Sequence, residues 1–193
     1  MTALKRRYNF TSDAGDSIGH TNVFFLRRSL FAMLRAGADK ISINSSAIAN
    51  PERIREGAEK FGSQRIVVSI DAKKSRRING ACSRTAAART PALDAIEWAQ
   101  RTVAQGAGEI ELHSIDAAGT KAGFDLVITR RISESVGVPV VASGGAGTLE
   151  HMADVLLAGK ASAVLAASIF HFGTYTFGDV KKFLAEKNIP VRL

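Results

Sequence analysis

The chain has 193 residues, 46% of them hydrophobic, and a single cysteine, Cys82. That length supports one domain with a sizeable core, and the hydrophobic content excludes a disordered chain. One cysteine excludes an internal disulfide, no run approaches the roughly 20 apolar residues of a membrane span, and Met1–Tyr8 lack the apolar core of a secretory signal. A cytoplasmic protein without membrane association is expected.

The net charge of +8 is unevenly placed: residues 1–35 carry net +4, residues 73–92 carry net +6, and the rest carry net −2. A nucleic-acid interface needs basic residues over a folded face. Here the whole excess sits in two segments without regular pattern, so no nucleic-acid partner is expected.

Residues 1–33 show no strand–helix–strand order. Lys40–Asn44 is the first predicted strand. Asn50 as N-cap and Pro51 at the first helical position then open a helix that stops at Gly62. Ile66–Asp71 is nearly all apolar, as a strand buried on both faces of a parallel sheet is. Residues 73–92 have no usable periodicity and read as a basic surface loop or arm. Asp94–Gln105 follows as a helix with Ile96, Trp98, Ala99 and Val103 on its apolar face, ending before Gly106. Glu109–Ser114 is a strand, Asp125–Val136 a helix stopped by Gly137, and Val138–Ser143 a strand. Thr148–Ala158 is a helix stopped by Gly159, and Ala163–Ser168 the last strand. Thr176 and Asp179 form a capping box before a final helix reaching about Lys187. This alternation predicts an α/β fold with a parallel sheet. Periodicity leaves open whether the sheet is doubly wound or a barrel, and a full barrel takes about 250 residues.

Sites in parallel α/β folds lie at the C-terminal ends of strands, and polar residues gather there: Asn44 and Ser45; Asp71, followed by Lys73; His113 with Asp116, Gly119, Thr120 and Lys121; Ser143 to Gly147; Ala167 and Ser168. Ser143-Gly144-Gly145-Ala146-Gly147 is a glycine-rich turn entering a helix, where bare amides attract phosphate. Ala167 and Ser168 add small residues and a hydroxyl one strand later. Asp71 suits an acid or base in the mouth of the sheet, or equally a helix cap or a partner of Lys73. A single histidine such as His113 is more often a hydrogen-bonded bystander than a catalyst, and His151 and His171 have no assigned role. No histidine, cysteine or carboxylate spacing matches a metal site, no Walker or nucleophile-elbow motif is present, and no cofactor is expected.

Several strings in one order carry a resemblance. They are Ala36–Ser45, Phe61–Gln64 with Ile66–Lys73, Gly106–Ile110, Asp116 with Gly119–Lys121, Ala142–Gly147 and Leu165–His171. Together they resemble the cyclase subunit of imidazole glycerol phosphate synthase, a (β/α)₈ barrel of histidine biosynthesis, over residues 33–75 and 93–193. The resemblance implies that strands four to eight of such a barrel are present. It implies ammonia from a glutaminase partner converting a phosphoribulosyl aminoimidazole-carboxamide ribotide to imidazole glycerol phosphate and an aminoimidazole ribotide. Asp71 matches the second of two catalytic aspartates. Asn44, Ser45 and Gly119 match substrate contacts, and Ser143, Gly144, Gly145, Ala167 and Ser168 match a phosphate site. Lys40 and Glu109 match charged residues where ammonia enters, and Gln64 lies in a region similar to the partner-facing surface.

The chain departs from that pattern as well. The first strand with its aspartate and the triple-glycine turn after strand three are not found in residues 1–33, Ala118 stands where an aspartate is usual, and His113 where threonine is frequent. Cys82-Ser83-Arg84-Thr85-Ala86-Ala87-Ala88 is what the resembled family's Val-Phe-Thr-His-Gly-Gly-Arg becomes when GC-rich codons are read one nucleotide late. Residues 76–92 therefore read as a frameshifted insert, restored to frame at Leu93. The expected organisation is an unmatched segment 1–33 and a partial cyclase-type barrel over 34–193, with its first strands missing or scrambled and its activity weak or lost. Two alternatives stand beside it: a non-catalytic phosphate-binding half-barrel module, and the sibling ribotide isomerase of the same pathway.

Overall fold

The computed structural model describes residues 38–75, 82–85 and 93–192, with Ser75 and residues 82–85 described as backbone only. The expectations for residues 1–33 fall outside the described residues, as do those for 76–81 and 86–92. In chain order the elements are β1 (Ile41–Ile43), α1 (Ser45–Ala49), α2 (Glu52–Phe61), a 3₁₀ turn (Ser63–Arg65), β2 (Ile66–Ser75) and β3 (Cys82–Thr85). They continue with α3 (Ala95–Ala104), β4 (Glu109–Ser114), α4 (Leu126–Ser135), β5 (Val140–Ser143), α5 (Leu149–Leu157), β6 (Ala163–Leu165), α6 (Ser168–His171) and α7 (Phe177–Glu186).

The sheet answers what periodicity left open. Its order is β1–β2–β4–β5–β6, and every neighbouring pair in that path is parallel. A doubly wound sheet reverses its strand order at a switch point. This one advances one strand at a time in a single direction, as a (β/α)₈ barrel is wound. The fold is therefore α/β and consistent with part of such a barrel. Among the described residues β1 and β6 each have one sheet neighbour.

Helix ends follow their capping residues. Asp94 accepts from the amides of Ile96 and Glu97, and Asp125 from that of Ile128, so α3 and α4 each begin one residue after the aspartate. Asn50 closes α1 through its own amide, and its side chain accepts from the Glu52 amide at 3.2 Å. It does the work expected of it, but Pro51 rather than Asn50 occupies the N-cap position of α2. Thr176 and Asp179 form the expected capping box of α7, and Thr148 forms another with His151. In that second box His151 Nδ1 accepts from the amides of Gly147 and Thr148 at 3.2 and 3.3 Å. His151, without a role on sequence grounds, is thus a helix cap.

Two strand ends differ from the sequence reading by three residues or more, and β1 and β5 are shorter than read by one or two residues at an end. The second strand does not end at Asp71. It runs on to Ser75, because Ala72–Ser75 pair antiparallel with Cys82–Thr85 in a hairpin. The root of this hairpin is anchored by the Lys74 amide donating to Asp116 at 2.6 Å and by Lys74 Nζ 3.2 Å from Asp125. Seven residues of the segment read as an irregular loop, Lys73–Ser75 and Cys82–Thr85, are therefore strand, since a hairpin ladder is made by backbone and needs no side-chain period. The last strand stops at Leu165 rather than Ser168, because the Ala167 carbonyl accepts from the amides of Phe170 and His171 and opens the short helix α6.

Alternation along the strands sorts the side chains onto two faces. One face sets Ile43, Val68, Ile70, Ile110, Leu112 and Val140 against Ile54, Trp98 and Ile132 of the helices, all of them buried. A second core joins Met152, Val155, Ile169, Val180 and Leu184 at the β6 end. Val127, Leu157, Phe172 and Phe177 remain exposed, and no helix among the described residues is long and apolar enough to cross a membrane.

Candidate functional site

The other face of the sheet carries the polar residues, stacked in rungs from the N-terminal to the C-terminal strand ends. At the bottom Lys40 pairs with Glu109, a buried residue with 5% exposure. One rung up, Ser42 Oγ donates to Glu111 Oε2 at 3.2 Å. At the top Asn44 Nδ2 donates to Asp71 Oδ2 at 2.8 Å, and His113 Nδ1 lies 3.2 Å from Ser143 Oγ. The two lower rungs join β1 to β4 across the intervening β2. Barrel interiors are layered in this way, each layer filled from alternate strands, and the sheet must be concave on this side for the side chains to meet.

Register fixes the top row. Asp71 is the cross-strand partner of His113, and His113 of Ser143. Parallel pairing of β2 with β4 ends at Ala72 and Ser114, so this row lies at the last turn of the common sheet although β2 itself continues. Asp71 accepts from the Asn44 side chain rather than capping a helix among the described residues. Ser45 starts α1 and is exposed.

The glycine turn is shaped by neighbouring backbone. Gly144 and Gly145 have φ of +92° and +103°, and a Cβ at each would lie 2.7 Å from the Ser114 carbonyl oxygen and 2.0 Å from that of Gly123. The Gly145 carbonyl accepts from the Gly123 amide at 2.8 Å, so the loops after β4 and β5 form one unit that requires these glycines. Gly119, in the first of those loops, is exposed with φ of +75° and open space around it. Gly147 and Thr148 direct their amides at His151. Those two donors are already engaged, which leaves the amides of Gly144, Gly145 and Ala146 as the ones that donate to no described residue. Ala167 and Ser168 stand after the adjacent strand β6, Ala167 exposed and Ser168 half-buried. The structure thus brings Asn44 to Asp71 and Ser143 to His113, with Gly144 beside them. It puts Ala167 and Ser168 at the same end of the sheet, and Lys40 with Glu109 at the opposite end. Gln64 lies exposed in the 3₁₀ turn before β2.

Glu111 was not singled out from sequence, although Glu109, Glu111 and His113 alternate along one strand and so share one face. Burial pushes its carboxyl above the ordinary carboxylate range. The Ser42 hydroxyl and the charge of His113 pull it back, and the negative charges of Asp71 and Glu109 add to the upward push. A carboxyl raised in the fold binds more protons folded than unfolded, so its contribution is fully present at low pH and is lost as pH rises through the folded value. Replacing Glu111 by Gln is therefore expected to raise the melting temperature by about 2 °C or more at pH 7.5, with a smaller gain at pH 4.5. Thermal unfolding at the two pH values checks this, and an equal or larger gain at pH 4.5 contradicts it.

Residues 27–176, more than half of the chain, match a family described as histidine biosynthesis protein.

Proposed function

The chain belongs to the histidine biosynthesis protein family, and we propose that within it the chain is of the cyclase type, joining ammonia to a phosphorylated ribulosyl ribotide to form imidazole glycerol phosphate and an aminoimidazole ribotide. One observation carries the choice. A continuous polar lane runs along the concave face, from the Lys40–Glu109 pair through Ser42 and Glu111 to Asn44 and Asp71. An isomerase of one ribotide admits no second reactant and has no use for a polar lane at the far end of its sheet. A cyclase fed with ammonia needs one, and the lane ends beside a carboxylate able to exchange protons with it.

In this reading Lys40 and Glu109 form the ammonia entrance and Asp71 is an acid–base group. Asn44, Ser45 and Gly119 contact the substrate. Ser143, Gly144, Gly145, Ala167 and Ser168 hold one phosphate, for which the unengaged amides of Gly144 to Ala146 are suitable donors. A glutaminase subunit docking at the strand N-termini, near Gln64, supplies the ammonia. Residues 1–33 contain no match to the first-strand aspartate, so turnover is expected to be slow, below about 1 s⁻¹. Turnover of the ribulosyl ribotide with ammonium salts, compared with isomerisation of its ribosyl precursor, tests the reading. Ammonia-dependent consumption of the first supports it, and isomerisation alone overturns it.

A further inference from the structure

We propose that His113 is the second proton-transfer group of this site, working opposite Asp71. The inference rests on the ammonia-dependent reading above and extends it to a residue that the resemblance leaves without a role.

Four observations converge. Asp71 and His113 are direct partners in the β2–β4 register, so they project from adjacent strands onto the same concave face. Ser143 holds the ring at Nδ1, while Nε2 bonds to no other described residue. A structural histidine normally uses its polar atoms on the protein itself, whereas this one keeps a nitrogen in reserve at the mouth of the sheet. The ring edge lies against the Gly144 turn, where a Cβ would stand at contact distance, 3.5 Å, from Cε1. Finally, Glu111 lies two residues earlier on the same strand and so faces the same side of the sheet, one rung below.

The charged groups around the ring are few. β2 presents Asp71 and Lys73, β4 presents Glu111 and Glu109, and β1 presents Lys40 beside Glu109. β5 and β6 bring Val141, Ser143, Ala163 and Leu165 to this face, none of which is ionisable there.

The chemistry requires two groups. When ammonia adds to the ketose carbonyl, a carbon–nitrogen bond forms and the carbonyl π bond breaks. The nitrogen must shed one proton and the oxygen must gain one. Asp71, as carboxylate, takes the proton from nitrogen. His113, as imidazolium, gives its Nε2 proton to oxygen. No net proton is consumed, and imidazole is the side chain best suited to change charge near neutral pH.

The test replaces His113 by Asn, which retains a polar group for Ser143 but cannot carry a proton. Ribotide affinity, kcat with ammonium and the pH profile of kcat are measured for wild type and variant, and His113→Gln serves if His113→Asn fails to fold. The expected result is affinity within threefold of wild type, kcat lower by about 100-fold or more, and loss of one limb of the pH profile. A kcat within threefold on an unchanged profile overturns the proposal alone. So does a loss of binding as large as the loss of turnover, which would make His113 a ligand contact. Absence of ammonia-dependent turnover in wild type overturns the cyclase reading and the proposal together.

Discussion

Replacement of Asp71 by Asn lowers ammonia-dependent turnover by about 10²–10⁴-fold with little change in stability. The carboxylate lies in the last rows of the parallel sheet, half-buried, and accepts from Asn44 Nδ2 at 2.8 Å. The side-chain oxygen of an asparagine can accept that same bond, so the local geometry is retained and only the proton-exchanging function is removed. The effect belongs in kcat, with ribotide affinity near that of wild type. Steady-state kinetics at saturating ribotide, beside a thermal melt, separate the cases. A variant within threefold of wild-type kcat shows that Asp71 moves no proton in the slow step. A variant that melts far below wild type shows that the Asn44 contact depends on the charge.

A methyl group on Gly145 destabilises the fold by about 3 kcal/mol or more. Two costs add: a left-handed backbone costs an L-residue roughly 1–2 kcal/mol, and forced overpacking costs about 1–3 kcal/mol. Both apply because φ is +103° and the new Cβ would stand 2.0 Å from the Gly123 carbonyl oxygen. The atom in the way is backbone, tied to the same residue by the bond from the Gly123 amide to the Gly145 carbonyl, so it cannot swing aside as a flexible side chain would. Gly119→Ala is the control. Its backbone is also left-handed at +75°, but nothing lies within 4 Å of a Cβ there, so only the backbone cost remains. Urea unfolding of both variants checks the difference, and equal losses contradict the packing argument.

What was legible in the sequence was what local chemistry writes there. Strands β4 and β5, the helices capped by Asp94, Asp125, Thr148 and Thr176, and the glycine stops could be read because each rests on a residue or its near neighbours. Winding direction could not be read, since the order β1–β2–β4–β5–β6 arises only from pairing across the chain. The hairpin of Ala72–Ser75 with Cys82–Thr85 was illegible for a related reason, being a backbone ladder under side chains without alternation. At the site, Asp71 and Asn44 were both recognised, but their bond to each other was not. Glu111 was overlooked because a carboxylate inside a barrel layer is rare, where bulky branched residues are the rule. The alignment of His113 with Asp71 is a matter of register, which no local pattern writes. His151 carries no role in the sequence because a ring that turns back onto the N-terminus of α5 is a matter of side-chain direction.

The fate of the ammonia nitrogen separates the cyclase from the isomerase. The purified chain is incubated with the ribulosyl ribotide and ¹⁵N-ammonium, and the products are resolved by mass. Imidazole glycerol phosphate carrying one ¹⁵N is the expected product, formed slowly and lost on replacing Asp71 by Asn. No labelled imidazole product, with the ribosyl precursor isomerised instead, would contradict the cyclase assignment and make the chain the isomerase of the same family.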